Sequence, residues 1–416
     1  MPPSQREGDH EVVEGVYFMK GYSPGLLTQT APSERGPRVV CIFFSLRGNL
    51  STGEDMNKML LRTAAILVAA VLFIEPVSAV SAEKAIVLDA VTGRVLYEKN
   101  ADDRSLIAST TKIMTALIIC QQCNVLDRVK IPAEAVGVEG SSMYLTEGEV
   151  LTVQELLYGL MLRSGNDAAA ALAIWCGGTI EGVAERMNDK ARELGLEGTL
   201  FDNPHGRVAP DHYSTARDLA VLTAYAMTDP IFARTVGAKT VTVGERVLTN
   251  HNKLLWQLPG CEGVKTGYTR AAGRILVSSA SREGRRLVCV TINAPDDWND
   301  HKALLEKGFE GYEVRQVVAA GEVLGYRHIL NGDGTAVPLV AAEDFSYSLA
   351  QGEQIDIVLS PRYFSYAPVT AGADEGCAYA VLDGQIVGQI PLVWGSSLEE
   401  TQEKERTLLE RLFGGL

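Results

Sequence analysis

The chain has 416 residues, enough for two domains plus targeting segments, and its 46% hydrophobic and 22% charged residues are ordinary for a soluble globular protein. A formal net charge of −14 argues against a nucleic-acid partner, because phosphate binding needs a basic surface. Seven cysteines are few for a disulfide framework, and the six histidines lack the i, i+4 spacing of an H-E-x-x-H zinc site, so no metal or other cofactor is expected.

Residues 1–55 are polar, rich in Gly, Pro and Ser, and show no sustained periodicity. They read as an extension or a misassigned start. Residues 56–82 read as a secretory signal: a basic stretch from Met56 to Arg62, an apolar run from Ala64 to Ile74, then Val77-Ser78-Ala79 and Val80-Ser81-Ala82 as cleavage sites. The run is too short to span a bilayer, which takes roughly 20 apolar residues. A signal normally opens a protein, so translation is expected to start at Met56 and the mature chain near Val80 or Glu83.

Ala85–Leu88 and Arg94–Tyr97 flank a turn-forming cluster and predict a β-hairpin. Helical periodicity runs from Ile107 to Ile119 and returns over Leu151–Leu162, Asp167–Cys176, Glu181–Leu194 and Ala216–Ala226, with Ser214 as the N-cap of the last. Strand patterns cover Lys239–Val243, Arg274–Ser278 and Leu287–Ile292, and Asp300–Gly311 predicts a closing helix. Hairpins enclosing a helical middle imply an α+β domain built on one antiparallel sheet, over residues 83–318. Residues 319–395, with short β-prone segments such as Ile355–Leu359 and Ala378–Leu382, predict a small β-rich domain. The tail, 396–416, carries Leu408, Leu409, Leu412, Phe413 and Leu416 on one helical face. It is a candidate membrane anchor, or a helix end packed on the β domain.

Three short motifs carry candidate chemistry: Ser109-Thr110-Thr111-Lys112, Ser164-Gly165-Asn166 and Lys265-Thr266-Gly267. Ser109 and Lys112, three apart at a helix start, share one face. A serine hydroxyl needs a base, and a lysine serves when burial and nearby cations keep it neutral. The helix amino terminus adds backbone N–H groups suited to an oxyanion. Each motif alone is cheap, an N-cap or a turn; ordered and well spaced, they become specific. Cys120 and Cys123 form a C-x-x-C, but no second pair or nearby His completes a zinc site, and they read as two small apolar residues near a helix end.

The ordered motif set resembles that of class A β-lactamases and penicillin-binding proteins, in which Asp often stands in place of the middle Gly165. With its flanks, the sequence resembles the low-molecular-mass penicillin-binding D-Ala-D-Ala carboxypeptidases over roughly residues 83–395. The matching flanks include Ile107-Ala108 before Ser109, Asn203-Pro204-His205-Gly206, His212-Tyr213-Ser214-Thr215-Ala216-Arg217-Asp218-Leu219 and Gly263-Val264 before Lys265. The resemblance implies a β-lactamase/transpeptidase-like domain (an antiparallel sheet with a helical cluster) followed by a small all-β domain. It also implies an exported enzyme of the cell envelope that trims D-alanine from peptidoglycan stem peptides and is acylated by β-lactams.

By the same resemblance, Ser109 is the nucleophile and Lys112 its base, and Ser164 relays a proton to the leaving amine. Asn166 holds Lys112 and the substrate amide, while Lys265, Thr266 and Gly267 bind the terminal carboxylate. The backbone N–H groups of Ser109 and Tyr268 form the oxyanion hole. His205 reads as a structural loop residue, since the Ser/Lys pair already supplies a base. Three rivals share the motifs: a D,D-endopeptidase, a β-lactamase and a catalytically dead wall scaffold. The second is disfavoured because the Asn203–Gly206 loop carries no Glu.

Overall fold

The protein is described here from a computed structural model covering residues 80–332, 335–360 and 364–401. The expected extension, most of the signal segment and residues 402–416 of the tail lie outside the described residues.

The chain opens with strands β1 (Lys84–Asp89) and β2 (Val95–Lys99), a 3-10 turn (Ala108–Thr111) and helix α1 (Lys112–Gln122). β3 (Arg128–Lys130) and β4 (Val150–Thr152) lead to α2 (Val153–Leu162), α3 (Asn166–Gly177), α4 (Ile180–Glu193), α5 (Ala216–Ala226) and α6 (Pro230–Gly237). Next come β5 (Thr240–Val243), β6 (Arg246–Thr249), α7 (Leu254–Gln257), β7 (Cys261–Thr269), β8 (Gly273–Arg282), β9 (Arg285–Ile292) and α8 (Asp297–Gly311).

The first sheet is antiparallel throughout, in the order β2-β1-β9-β8-β7, so that chain-distant hairpins meet at β1–β9. Alternation along its strands sorts its two faces. Ile86, Leu88, Ile275, Val277, Val288, Val290 and Ile292 join the core formed by the helical cluster. On the other face, Ser278 and Thr291 bond the ring of the buried His301 on α8, and Gly308 of α8 comes close to Val87 and Leu287.

The N-cap of α5 is Thr215, which accepts from Asp218 N, rather than the expected Ser214; the Ser214 hydroxyl instead bonds Thr199. The stretch read as a helix from Leu151 begins with β4, and a capping box between Thr152 and Glu155 starts α2 at Val153. The closing helix starts three residues before the expected Asp300.

Strand β10 (Tyr312–Val318) follows α8 without a linker, and β11 (Val323–Leu330), β12 (Ala336–Ala341), β13 (Phe345–Ala350), β14 (Asp356–Leu359), β15 (Phe364–Tyr366), β16 (Asp374–Leu382) and β17 (Gln385–Trp394) complete the elements of the described residues. β10 pairs with β13, and the other six form a sheet ordered β14-β16-β17-β12-β11-β15 over a core that includes Leu339, Ile390, Leu392 and Trp394. The β-rich part is clamped to the first sheet by polar side chains. Asp89, fully buried at the end of β1, accepts from Arg285 Nε at 2.8 Å and from the Ser348 hydroxyl at 2.6 Å. Arg94 donates to Ser348 O and, twice, to Glu353, with Tyr312 and Tyr347 beneath its guanidinium.

Candidate active site

Ser109 lies in the 3-10 turn that feeds directly into α1, and Lys112 is the first residue of that helix. The Lys112 side chain is 0% exposed. Its Nζ lies 3.0 Å from Ser109 Oγ, 2.7 Å from Asn166 Oδ1 and 2.6 Å from the His205 carbonyl oxygen. Burial first, and then the nearby Lys265 cation, holds the amine well below the ordinary lysine range, with Asp167 pulling weakly the other way. Two N–H groups of a neutral amine fit the two carbonyl-type acceptors, Asn166 Oδ1 and His205 O. The remaining lone pair then faces the serine hydroxyl.

Asn166 opens α3 after a turn in which Ser164 adopts φ +59°. Non-glycine residues seldom take that conformation, and here it delivers the chain from α2 straight into α3. The Asn166 Nδ2 donates to Glu139 O, which fixes the amide with its oxygen toward Lys112. Asp167 beside it is buried and accepts from Ser142 Oγ and from the N–H groups of Met143, Leu145 and Ala168. One carboxylate thus pins the whole 139–145 loop against the start of α3. Ser164 is buried, and its hydroxyl makes no hydrogen bond among the described residues.

Lys265 stands in the middle of β7, the edge strand of the sheet. It is buried, donates to Thr266 O at 2.7 Å, and is lowered by burial to about 7. Gly267, two residues on, faces the turn that bears Ser109: a Cβ there would meet Ile107 O at 3.3 Å and Thr110 N at 3.4 Å. Its missing side chain lets the strand lie against the serine. Tyr268 then turns outward, 69% exposed at the rim. The three motifs, far apart in sequence, therefore frame a single cleft.

The Asn203–Gly206 loop closes the other side. Thr115 Oγ1 donates to Pro204 O, Lys112 to His205 O, and Asn203 Oδ1 accepts from the N–H groups of Gly206 and Arg207. His205 contributes its carbonyl to the site; its imidazole is lowered to about 4 by burial and by Lys112, and is neutral. Gly206, at φ +85°, is pressed on the turn so closely that a Cβ would lie 1.9 Å from Ala108 O.

His212 holds the turn from behind. Its Nδ1 accepts from Asp202 N, which leaves the proton on Nε2, 2.7 Å from Thr111 Oγ1; Thr111 in turn donates to Ala108 O. Burial lowers this imidazole to about 4 as well. The sequence had offered His212 only as part of a matching flank, and no role for Asp167, Thr115 or Gly206. The motif Asn-Pro-His-Gly was the one local signal, because a glycine after a buried histidine marks a close backbone approach.

The family model for D-alanyl-D-alanine carboxypeptidase matches residues 72–296, and that for the penicillin-binding protein 5 C-terminal domain matches residues 312–400. The D-alanyl-D-alanine carboxypeptidase DacF of Bacillus subtilis is 31% identical over 80% of this chain and 89% of its own length. DacC of Escherichia coli is 33% identical over 77% of this chain and 85% of its own. Among solved structures, penicillin-binding protein 5 from Haemophilus influenzae superposes with a TM-score of 0.70 at 29% identity, over 79% of this chain and all of that one. The α+β region and the β-rich region are thus each matched, and the chain belongs to the D-alanyl-D-alanine carboxypeptidase family of serine peptidases.

Proposed function

We propose that the protein removes the terminal D-alanine from peptidoglycan stem peptides through an acyl-enzyme on Ser109. The observation that carries this reading is the fully buried Lys112 amine, 3.0 Å from Ser109 Oγ. The neutral amine takes the serine proton as Oγ attacks the carbonyl between the two D-alanines. The negative charge that develops on the carbonyl oxygen is met by the N–H groups of Ser109 and Tyr268. Lys265, Thr266 and Gly267 receive the terminal carboxylate, and this anion restores charge to a lysine that burial has weakened. The Ser164 hydroxyl, with no protein partner among the described residues, passes the proton to the departing amine, and Asn166 keeps Lys112 in register. Water then cleaves the ester. A β-lactam presents the same carbonyl and carboxylate, and its acyl-enzyme persists.

The test is intact-mass analysis after incubation with benzylpenicillin. A stable adduct of one drug mass, absent in Ser109→Ala, is expected. No adduct with the drug untouched points to a dead scaffold, and no adduct with rapid drug loss to a β-lactamase.

The same reading places the protein outside the cytoplasm, with residues 56–82 as its export signal; amino-terminal sequencing of the native protein that found residues 1–55 attached would refute it. We take residues 83–318 as the catalytic domain and residues 319–395 as a second, β-rich one, with the exchange where β10 ends. No helix among the described residues is long and apolar enough to cross a membrane. Attachment is assigned to the tail, whose first apolar residue, Leu398, packs on the β-domain core. Sedimentation with anionic lipid vesicles, lost when residues 402–416 are removed, is the expected result.

A further inference from the structure

Both helices that open at the active site end beside a thiol. α1 begins with Lys112 and gives way to Cys123, whose backbone is already extended; α3 begins with Asn166 and has Cys176 as its penultimate residue. Cys176 Sγ donates at 3.9 Å to Oε1 of Gln122, the residue before Cys123, which brings the two thiols together across the helix ends; both are half-buried, within reach of a small reagent. Arg186 of α4 completes the cluster. Its Nη1 lies 3.6 Å from Cys176 Sγ and donates to Gln122 Oε1 at 2.7 Å, so its cation bridges the two helices. Nothing in the proposed reaction uses these groups.

We propose that Cys123 and Cys176 are a disulfide pair, joined by exchange with a disulfide-bearing oxidant, that staples the far ends of α1 and α3. The Cys176 thiolate attacks one sulfur of the oxidant and releases its partner thiolate, leaving a mixed disulfide. Cys123 then loses its proton and attacks Cys176 Sγ, expelling the second thiolate. Two protein thiols are oxidised and one disulfide is reduced to two thiols. The roles follow from the surroundings. Hydrogen bonding from Cys123, aided by Arg186, lowers Cys176 to about 7, against both burial and the unfavourable carboxyl end of its helix, whereas Cys123 is raised. Cys120, the other half of the C-x-x-C, is buried inside α1 and pushed up to about 12 by that burial, so it makes a poor competitor.

The bond would close a loop that begins and ends next to the helices holding the Lys112–Asn166 contact. Those helices would then be tied at both ends, by a hydrogen bond at the cleft and a covalent bond behind it. Such a bond persists in an oxidising envelope and not in a reducing cytosol.

The test uses the purified full chain, equilibrated with oxidised glutathione, trapped with an alkylating reagent and mapped by peptide mass. A Cys123–Cys176 linked peptide, two hydrogens lighter than its separate halves, is expected. Oxidation should also raise the melting temperature by several degrees, a gain absent in Cys176→Ser. Separate alkylation of Cys123 and Cys176 after oxidation, or a Cys120–Cys123 link in their place, would overturn the proposal. Because glutathione supplies the oxidant, these outcomes are independent of whether the chain is exported. They are equally independent of penicillin acylation at Ser109.

Discussion

At the residue scale the proposed mechanism gives two lysines opposite duties. Lys112 has to be neutral to accept a proton, and its depressed folded pKa makes it so over more of the pH range. As pH falls through that value the amine protonates and acylation is lost. Lys265 has to be charged to hold a carboxylate, and in the free enzyme it loses its proton as pH rises past about 7. The pH profile of kcat/KM is therefore expected to be a bell whose alkaline limb lies near neutrality, and Lys265→Arg is expected to remove that limb while the acid limb stays. A flat profile toward acid would place the base elsewhere. Gly206 makes a second, steric prediction. A methyl group there would lie 1.9 Å from Ala108 O at a φ of +85°. Gly206→Ala is thus expected to cost about 2–4 kcal/mol in denaturant unfolding and to slow penicillin acylation with it.

At the scale of elements, capping and anchoring can be separated by experiment. The Thr152–Glu155 capping box starts α2 away from the cleft. Thr152→Ala is expected to cost about 1 kcal/mol of stability and to leave acylation unchanged. Asp167→Ala removes the acceptor of the 139–145 loop and frees Asn166 to reorient. There acylation should fall by at least about tenfold, a figure equivalent to the loss of one charged hydrogen bond. The sequence carried much of this architecture. Ala216–Ala226 is a helix to the residue because its apolar positions recur on one face, and Ser109 and Lys112 are legible as a pair because they are three apart. Short or glycine-interrupted elements were not legible. α6 has only eight residues, and β7, which carries Lys265, includes Gly263 and Gly267 and shows no clean alternation. Contacts such as Thr111 with His212, about a hundred residues apart, leave no local mark at all.

Over the whole molecule, the junction between the sheet and the β-rich part is held by paired polar groups. Arg94→Ala would leave Glu353 without its cation and take away the guanidinium stacked on Tyr312 and Tyr347. A loss of about 2 kcal/mol in unfolding is expected, with penicillin acylation retained, because Arg94 faces the β-rich part and not the cleft. The cleft itself has a different tolerance for change. The turn bearing Ser109 is held between two residues without side chains, Gly206 on the loop and Gly267 on β7. Selection under a β-lactam has little freedom at that centre, since a substitution that blunts the drug there also displaces the serine proposed to process the wall. Resistance that preserves turnover would have to arise at the rim, where exposed residues such as Tyr268 can change size without moving the nucleophile.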